Sequence, residues 1–197
     1  MSSDRGSWEV VEESLAQTDS RAPRAKAHLA VAQSGIMQYE FEVRYLAGAE
    51  DLLAAFGVHV FVDEPSDRAS WGSGTSYLLW LTFDPIEYGG SGLWAEVYRS
   101  TGDNEMELYE HEGIQYRFEI PAGLLQGITL SNLDRYLIPV TIQVDADSGQ
   151  IRVKDPIRSG VWWTAELGMP IESGSFVALR TNSVAARFDN ISVTRLQ

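Results

Sequence analysis

Residues 37–45 read MQYEFEVRY, and this stretch decides the fold class. Its odd positions, from Met37 to Tyr45, are apolar, and its even positions are polar or charged. Side chains of a β-strand point alternately to opposite faces, so a period of two predicts a strand with one buried and one exposed face. The same alternation returns in residues 114–120, with Ile114 predicted to point inward, and in residues 140–145.

Turn-forming segments separate the apolar runs. Residues 145–149 read DADSG between VTIQV and IRV, which predicts a β-hairpin. Residues 50–56 and 122–126 are long enough for only a turn or two of helix, and for the first we favour a hairpin loop. About a dozen short strands therefore predict an all-β fold, a two-sheet antiparallel jelly-roll sandwich that forms one domain over residues 1–197.

The last apolar run, residues 184–196, reads VAARFDNISVTRL and changes phase part-way along. Phe188 points to one face, whereas Ile191 has the other parity. One extra residue must be absorbed near Asp189 and Asn190, which predicts a β-bulge there. Since a bulge turns side chains, we expect the Asp189 carboxylate to face a neighbouring loop or an ion.

The composition excludes several classes of partner. Lys and Arg total 15 against 28 Asp and Glu, which gives a formal charge of −13. We therefore expect no binding to nucleic acid and no attraction to an anionic membrane surface. The chain has no cysteine, so it has neither a disulfide nor a thiol nucleophile.

The sequence also bears on membrane insertion and location. No stretch reaches the roughly 20 consecutive apolar residues of a membrane span, so no membrane insertion is expected. The first residues, MSSDRGSWEV, lack the features of a signal peptide. The expected location is extracytoplasmic if a leader has been removed, and cytoplasmic otherwise.

Three predicted strands, in residues 57–63, 93–99 and 105–111, carry aromatic rings and carboxylates on the face that alternation turns outward. These outward residues are His59, Phe61, Asp63, Trp94, Glu96, Tyr98, Glu107, Tyr109 and His111. Aromatic rings stack on the apolar face of a pyranose, and carboxylates accept hydrogen bonds from its hydroxyl groups. The pattern favours a sugar platform, although cross-strand aromatic pairs or a covering loop explain the same residues.

Two further tryptophans are candidates for ligand contact. Trp71 lies in a Gly/Ser-rich loop, where an exposed ring suits the rim of a binding site. Trp162 and Trp163 are neighbours on a predicted strand, so one ring faces the core and the other faces outward. We include Trp163 among the candidates, and the sequence leaves open which of the two rings faces the groove.

The order of these segments resembles the concanavalin A-like lectin/glucanase jelly roll, near the bacterial domains grouped with family 16 glycoside hydrolases. The matching stretches are YEFEVRYLAG, GVHVFVD, VTIQVDADSGQIRVKD and GSFVALRTNSVAARFDNISVTRL. The resemblance implies two antiparallel sheets, with sugar bound across a concave face. It also implies a structural calcium ion near the chain ends, for which Asp189 is the residue we name. The Glu-x-Asp-x-x-Glu strand of family 16 enzymes is absent.

These observations leave three hypotheses of function. We favour a domain that binds a neutral poly- or oligosaccharide across the aromatic and acidic face. The alternative is a glycoside hydrolase that uses Glu96 and Glu107, because cross-strand neighbours have the spacing that two catalytic carboxyl groups need. The third is a structural or assembly protein that uses the same face as a protein interface, with its oligomeric state left open.

Overall fold

The computed structural model describes residues 6–48, 54–66, 68–83, 93–120 and 130–197, and strands dominate them. One short 3-10 helix, Leu130–Arg135, lies among these residues. The strands in chain order are β1 (Trp8–Val11), β2 (Ser14–Gln17), β3 (Ala25–Gln33), β4 (Ile36–Gly48), β5 (Ala55–Val62), β6 (Thr75–Phe83), β7 (Leu93–Thr101), β8 (Met106–Leu108), β9 (Glu110–His111), β10 (Ile114–Gln115), β11 (Arg117–Ile120), β12 (Ile138–Asp145), β13 (Gln150–Lys154), β14 (Trp162–Glu166), β15 (Gly174–Asn182) and β16 (Val184–Arg195).

The strands form two large antiparallel sheets. Sheet 1 has the order β1-β2-β16-β4-β12-β13-β14, and sheet 2 has the order β11-β7-β6-β5-β15-β3, with β8 also paired to β7. A two-stranded ribbon of β9 and β10 stands apart from both. The prediction of an all-β, two-sheet antiparallel jelly-roll sandwich is confirmed.

The main core lies between the inner faces of the two sheets. In β4 the odd residues from Met37 to Tyr45 are buried, as the alternation predicts. They join Ile142 of β12, which is fully buried, and the inner residues of sheet 2 in one apolar cluster. The hairpin predicted at residues 145–149 is present, since Asp145 pairs with Gln150 across it.

The outer face of sheet 2 is covered as well. All eight residues of β5 are buried. A second apolar cluster on this side contains Leu78 and Trp80 of β6, against which Tyr98 and Met106 pack. The centre of sheet 2 therefore has little free surface on either face, whereas Ala30 of β3 and Glu119 of β11, at its edges, are exposed.

The predicted bulge in β16 is present. Asp189 pairs with Glu42 of β4, whereas Ser192 pairs with Glu40, so one extra residue is accommodated between them. Asn190 takes it up with φ of 52°. Asparagine tolerates this left-handed conformation better than most residues, so a local sequence signal and a local conformation agree here.

A second bulge, in β5, is not visible in the sequence pattern. Val62 pairs with Phe176 of β15, but His59 pairs with Ala178, which leaves one extra residue on β5. Phe61 has φ of 54°. The bulge turns the Phe61 side chain into the core, so the prediction that it points outward is wrong.

The side chain of Gln33 supports this bulge. Its Oε1 accepts hydrogen bonds from the Phe61 backbone N–H at 2.9 Å and from the Tyr39 hydroxyl at 2.6 Å. Its Nε2 donates to the Phe176 carbonyl at 2.7 Å. Gly174 passes so close that an added Cβ would lie 2.4 Å from the Phe61 Cα. The left-handed backbone at Phe61 is therefore held by a hydrogen bond to Gln33 of β3, which lies on the far side of β15 in sheet 2.

Residues 114–120 differ from the single strand that the sequence predicts. The strand is interrupted at Tyr116, which lies between β10 and β11. Ile114, predicted to point inward, is exposed because β10 pairs only with the short β9 and lies outside both large sheets. The predictions for residues 50–53 and 122–126 lie outside the described residues. Within the described residues, no helix is long and apolar enough to cross a membrane.

Two isoleucines give a matched test of this core. Ile142 is 0% exposed and Ile114 is 60% exposed. We expect Ile142→Ala to lower the free energy of unfolding by about 2–5 kcal/mol, because it removes buried methyl groups and leaves a cavity. Ile114→Ala is expected to change it by less than about 0.5 kcal/mol. Urea denaturation followed by tryptophan fluorescence measures both, and equal effects would contradict the assignment of the core.

Candidate functional site

His59 lies inside the molecule, so the prediction that it faces a ligand is wrong. Its side chain is 0% exposed. Nδ1 lies 3.0 Å from the Ser76 hydroxyl, and Nε2 lies 3.2 Å from Nη1 of Arg180. Burial, reinforced by the charge of Arg180, lowers the pKa of His59 well below its usual value, which keeps the imidazole neutral.

The β7 residues Trp94, Glu96 and Tyr98 share the outer face of sheet 2, as the alternation predicts, but Glu96 is already engaged. Glu96 Oε1 lies 2.8 Å from Arg117 Nε, and its Oε2 accepts a hydrogen bond from the Tyr98 hydroxyl at 3.0 Å. The Arg117 guanidinium also covers the Trp94 ring at 4.5 Å. This carboxylate acts as a buried counter-ion and is only 5% exposed.

The carboxylate pair predicted for the hydrolase alternative is not formed. Glu107 pairs with Arg99 across the β7–β8 ladder, whereas Glu96 pairs with Trp80 and Arg117. Positions 96 and 99 on β7 differ in parity, so the two glutamates project to opposite faces of sheet 2. The prediction that Glu96 and Glu107 meet on one face is wrong.

Tyr109 and His111 also differ from the predicted platform. Tyr109 is buried, its hydroxyl donates to the Leu167 carbonyl at 2.6 Å, and its ring stacks on Tyr116 at 6.0 Å. The prediction that Tyr109 points outward is wrong because the strand is interrupted at Tyr109, between β8 and β9. His111 is partly exposed on β9 and lies against Gly168, where an added Cβ would come within 2.2 Å of the imidazole.

The tryptophan candidates separate into core and surface. Trp163 is buried and stacks on Phe118 at 5.6 Å, so its predicted ligand contact is wrong. Trp162 faces the opposite side and lies under the guanidinium of Arg152 at 4.8 Å. Trp71 is partly exposed in the loop between β5 and β6, as predicted.

A pocket of about 350 Å³, here called the end pocket, opens where β5 ends and β6 begins. Its lining includes Phe61, Asp63, Tyr77, Arg99 and residues 169–173. It contains two of the predicted site residues, Phe61 and Asp63. Arg99 and residues 169–173 are contributions that the sequence reasoning missed, because distant parts of the chain supply them.

Asp63 is held in position at the rim of this pocket. Its Oδ1 accepts hydrogen bonds from the Thr75 N–H at 2.7 Å and the Glu64 N–H at 2.6 Å. A Cβ at Gly74 would lie 2.2 Å from the same oxygen, so glycine permits the close approach. Asp63 is exposed, as predicted, and its orientation is set by bonds to the backbone.

The remaining lining combines polar groups with an apolar wall. Arg99 is partly exposed, and within the described residues no carboxylate lies within ion-pair distance of it. Burial raises the pKa of Tyr77, and the charge of Arg99 acts in the opposite direction. Met169, which is exposed, and Ile171, which is partly exposed, supply apolar surface. The pocket thus offers a carboxylate acceptor and a guanidinium donor beside carbon surface.

A group of cations under Trp71 was also missed by the sequence reasoning. Lys26 is buried, and its Nζ donates to the Ser70 carbonyl at 2.7 Å and the Ser70 hydroxyl at 2.9 Å. Burial, with the charge of Arg180, lowers the pKa of Lys26 to about 7. A lysine and an arginine inside the apolar stretches AKAHLAVAQ and FVALRTN were the available signals.

The predicted calcium site at Asp189 has little support in the local geometry. Its carboxylate accepts a hydrogen bond from the Ser14 hydroxyl. Calcium takes six to eight oxygen ligands, several of them carboxylates. In the part of the chain that the structure describes, no group of three or more His, Asp or Glu side chains is arranged to hold a metal. The described residues offer no such group at Asp189, and structural calcium stays an untested prediction.

Comparison with known proteins gives similarity in structure and none in sequence. No family model matches the chain, and no curated protein matches it. A legume lectin-like domain from Entamoeba histolytica superposes with a TM-score of 0.61 at 13% identity, covering 98% of this chain and 89% of the other. The fold is that of the concanavalin A-like lectins and glucanases.

Two further structures agree with this fold. The carbohydrate-binding module CBM66 from Bacillus subtilis has a TM-score of 0.59 at 12% identity, covering 96% of this chain and 92% of that module. The potassium-bound carbohydrate recognition domain of Emp46p has a TM-score of 0.60 at 10% identity, covering 94% and 84%. The concanavalin A-like architecture predicted from the sequence is confirmed, and identities this low establish the fold alone.

Glu96 and Glu107 can be tested for a structural role as a pair. We expect Glu96→Gln to lower the free energy of unfolding by about 1–3 kcal/mol, because it leaves the Arg117 guanidinium partly buried without its counter-ion. Glu107→Gln, on an exposed residue, is expected to change it by less than about 0.5 kcal/mol. Chemical denaturation measures both changes. An unaltered stability of Glu96→Gln would contradict the structural role of this carboxylate.

Lys26 predicts a pH dependence of stability. Its pKa is lowered from 10.5 to about 7 in the folded protein, so between these values the unfolded chain binds more protons. Stability conferred by neutral Lys26 therefore rises with pH through this window. We therefore expect the free energy of unfolding of the wild type to rise relative to that of Lys26→Met as the pH rises from about 7 to 10.5. Lys154→Met, which removes an exposed lysine, is the control, and a flat difference for Lys26→Met would contradict the burial of Lys26.

Proposed function

We propose that this protein is a carbohydrate-binding domain and that a neutral oligosaccharide binds in the end pocket. The observation that carries the proposal is the combination of oriented Asp63, Arg99 and apolar carbon surface in one pocket of about 350 Å³. Ligand pockets of small molecules have roughly this size, about 300–1,000 Å³, and a few placed polar groups fix the orientation of the ligand.

The chemistry of the pocket suits a sugar ring. A hydroxyl group donates to a carboxylate such as Asp63 and accepts from a guanidinium such as Arg99. The C–H face of a pyranose packs on apolar side chains, here Met169 and Ile171. The formal charge of −13 opposes the approach of an anionic chain, so a neutral ligand fits the whole molecule better.

The similar structures support the same class of ligand. Their names describe a legume lectin-like domain, a carbohydrate-binding module and a carbohydrate recognition domain. Each of these names describes the similar protein itself and is evidence for this chain only by analogy. Together with the polar and apolar lining of the end pocket, they favour carbohydrate over the assembly partner of our third hypothesis. The hydrolase alternative loses its basis, since Glu96 and Glu107 lie on opposite faces of sheet 2.

A panel of immobilised neutral and acidic oligosaccharides tests the proposal. We expect the wild-type protein to bind at least one neutral oligosaccharide, with its affinity then measured by titration calorimetry. Asp63→Asn and Arg99→Gln should each weaken that binding about tenfold or more, because each removes a hydrogen bond to a charged group. Tm measured beside each titration shows whether the variant remains folded.

Arg152→Gln is the matched control for this experiment. Arg152 lies on the outer face of sheet 1, over Trp162, and does not line the end pocket. Its replacement should leave oligosaccharide binding unchanged. The proposal fails if no oligosaccharide binds, or if binding survives unaltered in both Asp63→Asn and Arg99→Gln.

A further inference from the structure

Arg180 lies inside the protein on the outer face of sheet 2, with no surface exposed. It belongs to β15 and pairs directly with Lys26 of β3. Like charges directly opposite each other in a ladder are destabilising. The chain nevertheless places two basic side chains side by side, and both are buried.

The guanidinium of Arg180 is bonded along one edge only. Nη1 donates to the Trp71 carbonyl, and it lies 3.2 Å from His59 Nε2 and 3.6 Å from Met106 Sδ. The rings of Trp71 and Trp80 lie 5.6 Å and 5.2 Å from its central carbon. Cation–ring contacts stabilise the charge, but they supply no acceptor in the plane of the group.

The other edge of the same guanidinium is buried and has no acceptor. Nε and Nη2 are both buried, and neither has a hydrogen-bond partner among the described residues. These two donors are adjacent and parallel, the fork that binds the two oxygens of a carboxylate. A buried donor without an acceptor costs free energy, and a charged one costs more.

The groups around Arg180 are mostly basic and do not neutralise its charge. Its pKa is lowered to about 9 by burial and by Arg24, while Tyr98 acts in the opposite direction. Lys26 is affected by Arg180, Arg24 and the carboxylate of Asp103. Within the described residues, no acidic side chain lies within ion-pair distance of Arg180. In a chain with 28 acidic residues, this local excess of cations is unexpected.

We propose that the Nε–Nη2 edge of Arg180 is a binding site for a carboxylate group, carried by a small free anion or by a sugar acid. A planar carboxylate satisfies both free donors at once, and Lys26, directly opposite Arg180 in the ladder, is a second basic group beside it. Trp71, whose ring lies 5.6 Å from the central carbon of the guanidinium, is itself partly exposed. This site is separate from the end pocket and does not depend on the proposed oligosaccharide ligand.

The test is the thermal unfolding of the whole chain at fixed pH and ionic strength, with chloride replaced by acetate or by D-glucuronate. We expect both to raise Tm of the wild type, which would show that a carboxylate alone is sufficient. A rise with D-glucuronate only would support the site and identify the sugar acid as its ligand. Arg180→Met should show no rise in Tm that is specific to the carboxylate. General effects of the salt act on both proteins, so subtracting the change in Tm of Arg180→Met removes them.

Arg180→Met also removes a buried unpaired charge, so in chloride its Tm should equal or exceed that of the wild type. Arg180→Lys keeps the charge and loses the pair of parallel donors, and its apparent affinity for acetate should fall about tenfold or more. If Arg180→Met does not fold, Arg180→Lys replaces it as the test of the site.

Two variants check that the response belongs to Arg180. Arg152→Met removes an arginine that is also stacked on a tryptophan, and Asp63→Asn alters the end pocket. Both should keep the response to acetate. The proposal is wrong if the wild type shows no rise in Tm with either carboxylate, if Arg180→Met responds like the wild type, or if Arg152→Met loses the response.

Discussion

The centre of sheet 2 is covered on both faces, and this constraint decides which of its side chains can reach a ligand. All of β5 is buried, and Trp80 of β6 packs in a second apolar cluster outside the main core. Each polar group on the outer face must then find a partner inside the protein. Glu96 finds one in Arg117, and His59 finds one in Ser76. Surface that looks like a platform in the sequence is thus mostly internal structure, and the open space lies at the end of the sheet.

The two buried charges on this face differ in how they are compensated. Glu96 has a cation and a hydroxyl on its two oxygens, so its desolvation is offset by bonds. Arg180 has two aromatic rings and one bonded edge, which leaves two donors without acceptors. Hydrophobic burial tolerates a paired charge more easily than an unpaired one. An uncompensated cation in a strongly acidic chain is therefore a better indicator of a ligand than another paired carboxylate would be.

How far the sequence predicts the structure depends on how many faces a strand buries. In β4 only one face is buried, so Tyr39 and Phe41 were placed correctly by alternation. In β5 both faces are buried, and the same reasoning put His59 in solvent because its neighbours are apolar. The outward direction of Trp94 was right, but its cover, Arg117, comes from another strand. Residues supplied by distant segments, such as Arg99 in the end pocket, have no local pattern that would reveal them.

The two bulges show why one irregularity could be predicted and the other could not. In β16 the slip of parity falls between Phe188 and Ile191, which have polar residues between them, so the extra residue is visible. In β5 the slip falls at Phe61, among residues that are buried on either parity. Phenylalanine also gives no sign of a positive φ, whereas Asn190 does. The bulge at Phe61 comes two residues before Asp63, and both residues line the end pocket. An irregularity that lies beside the pocket is thus one that a pattern of alternation cannot detect.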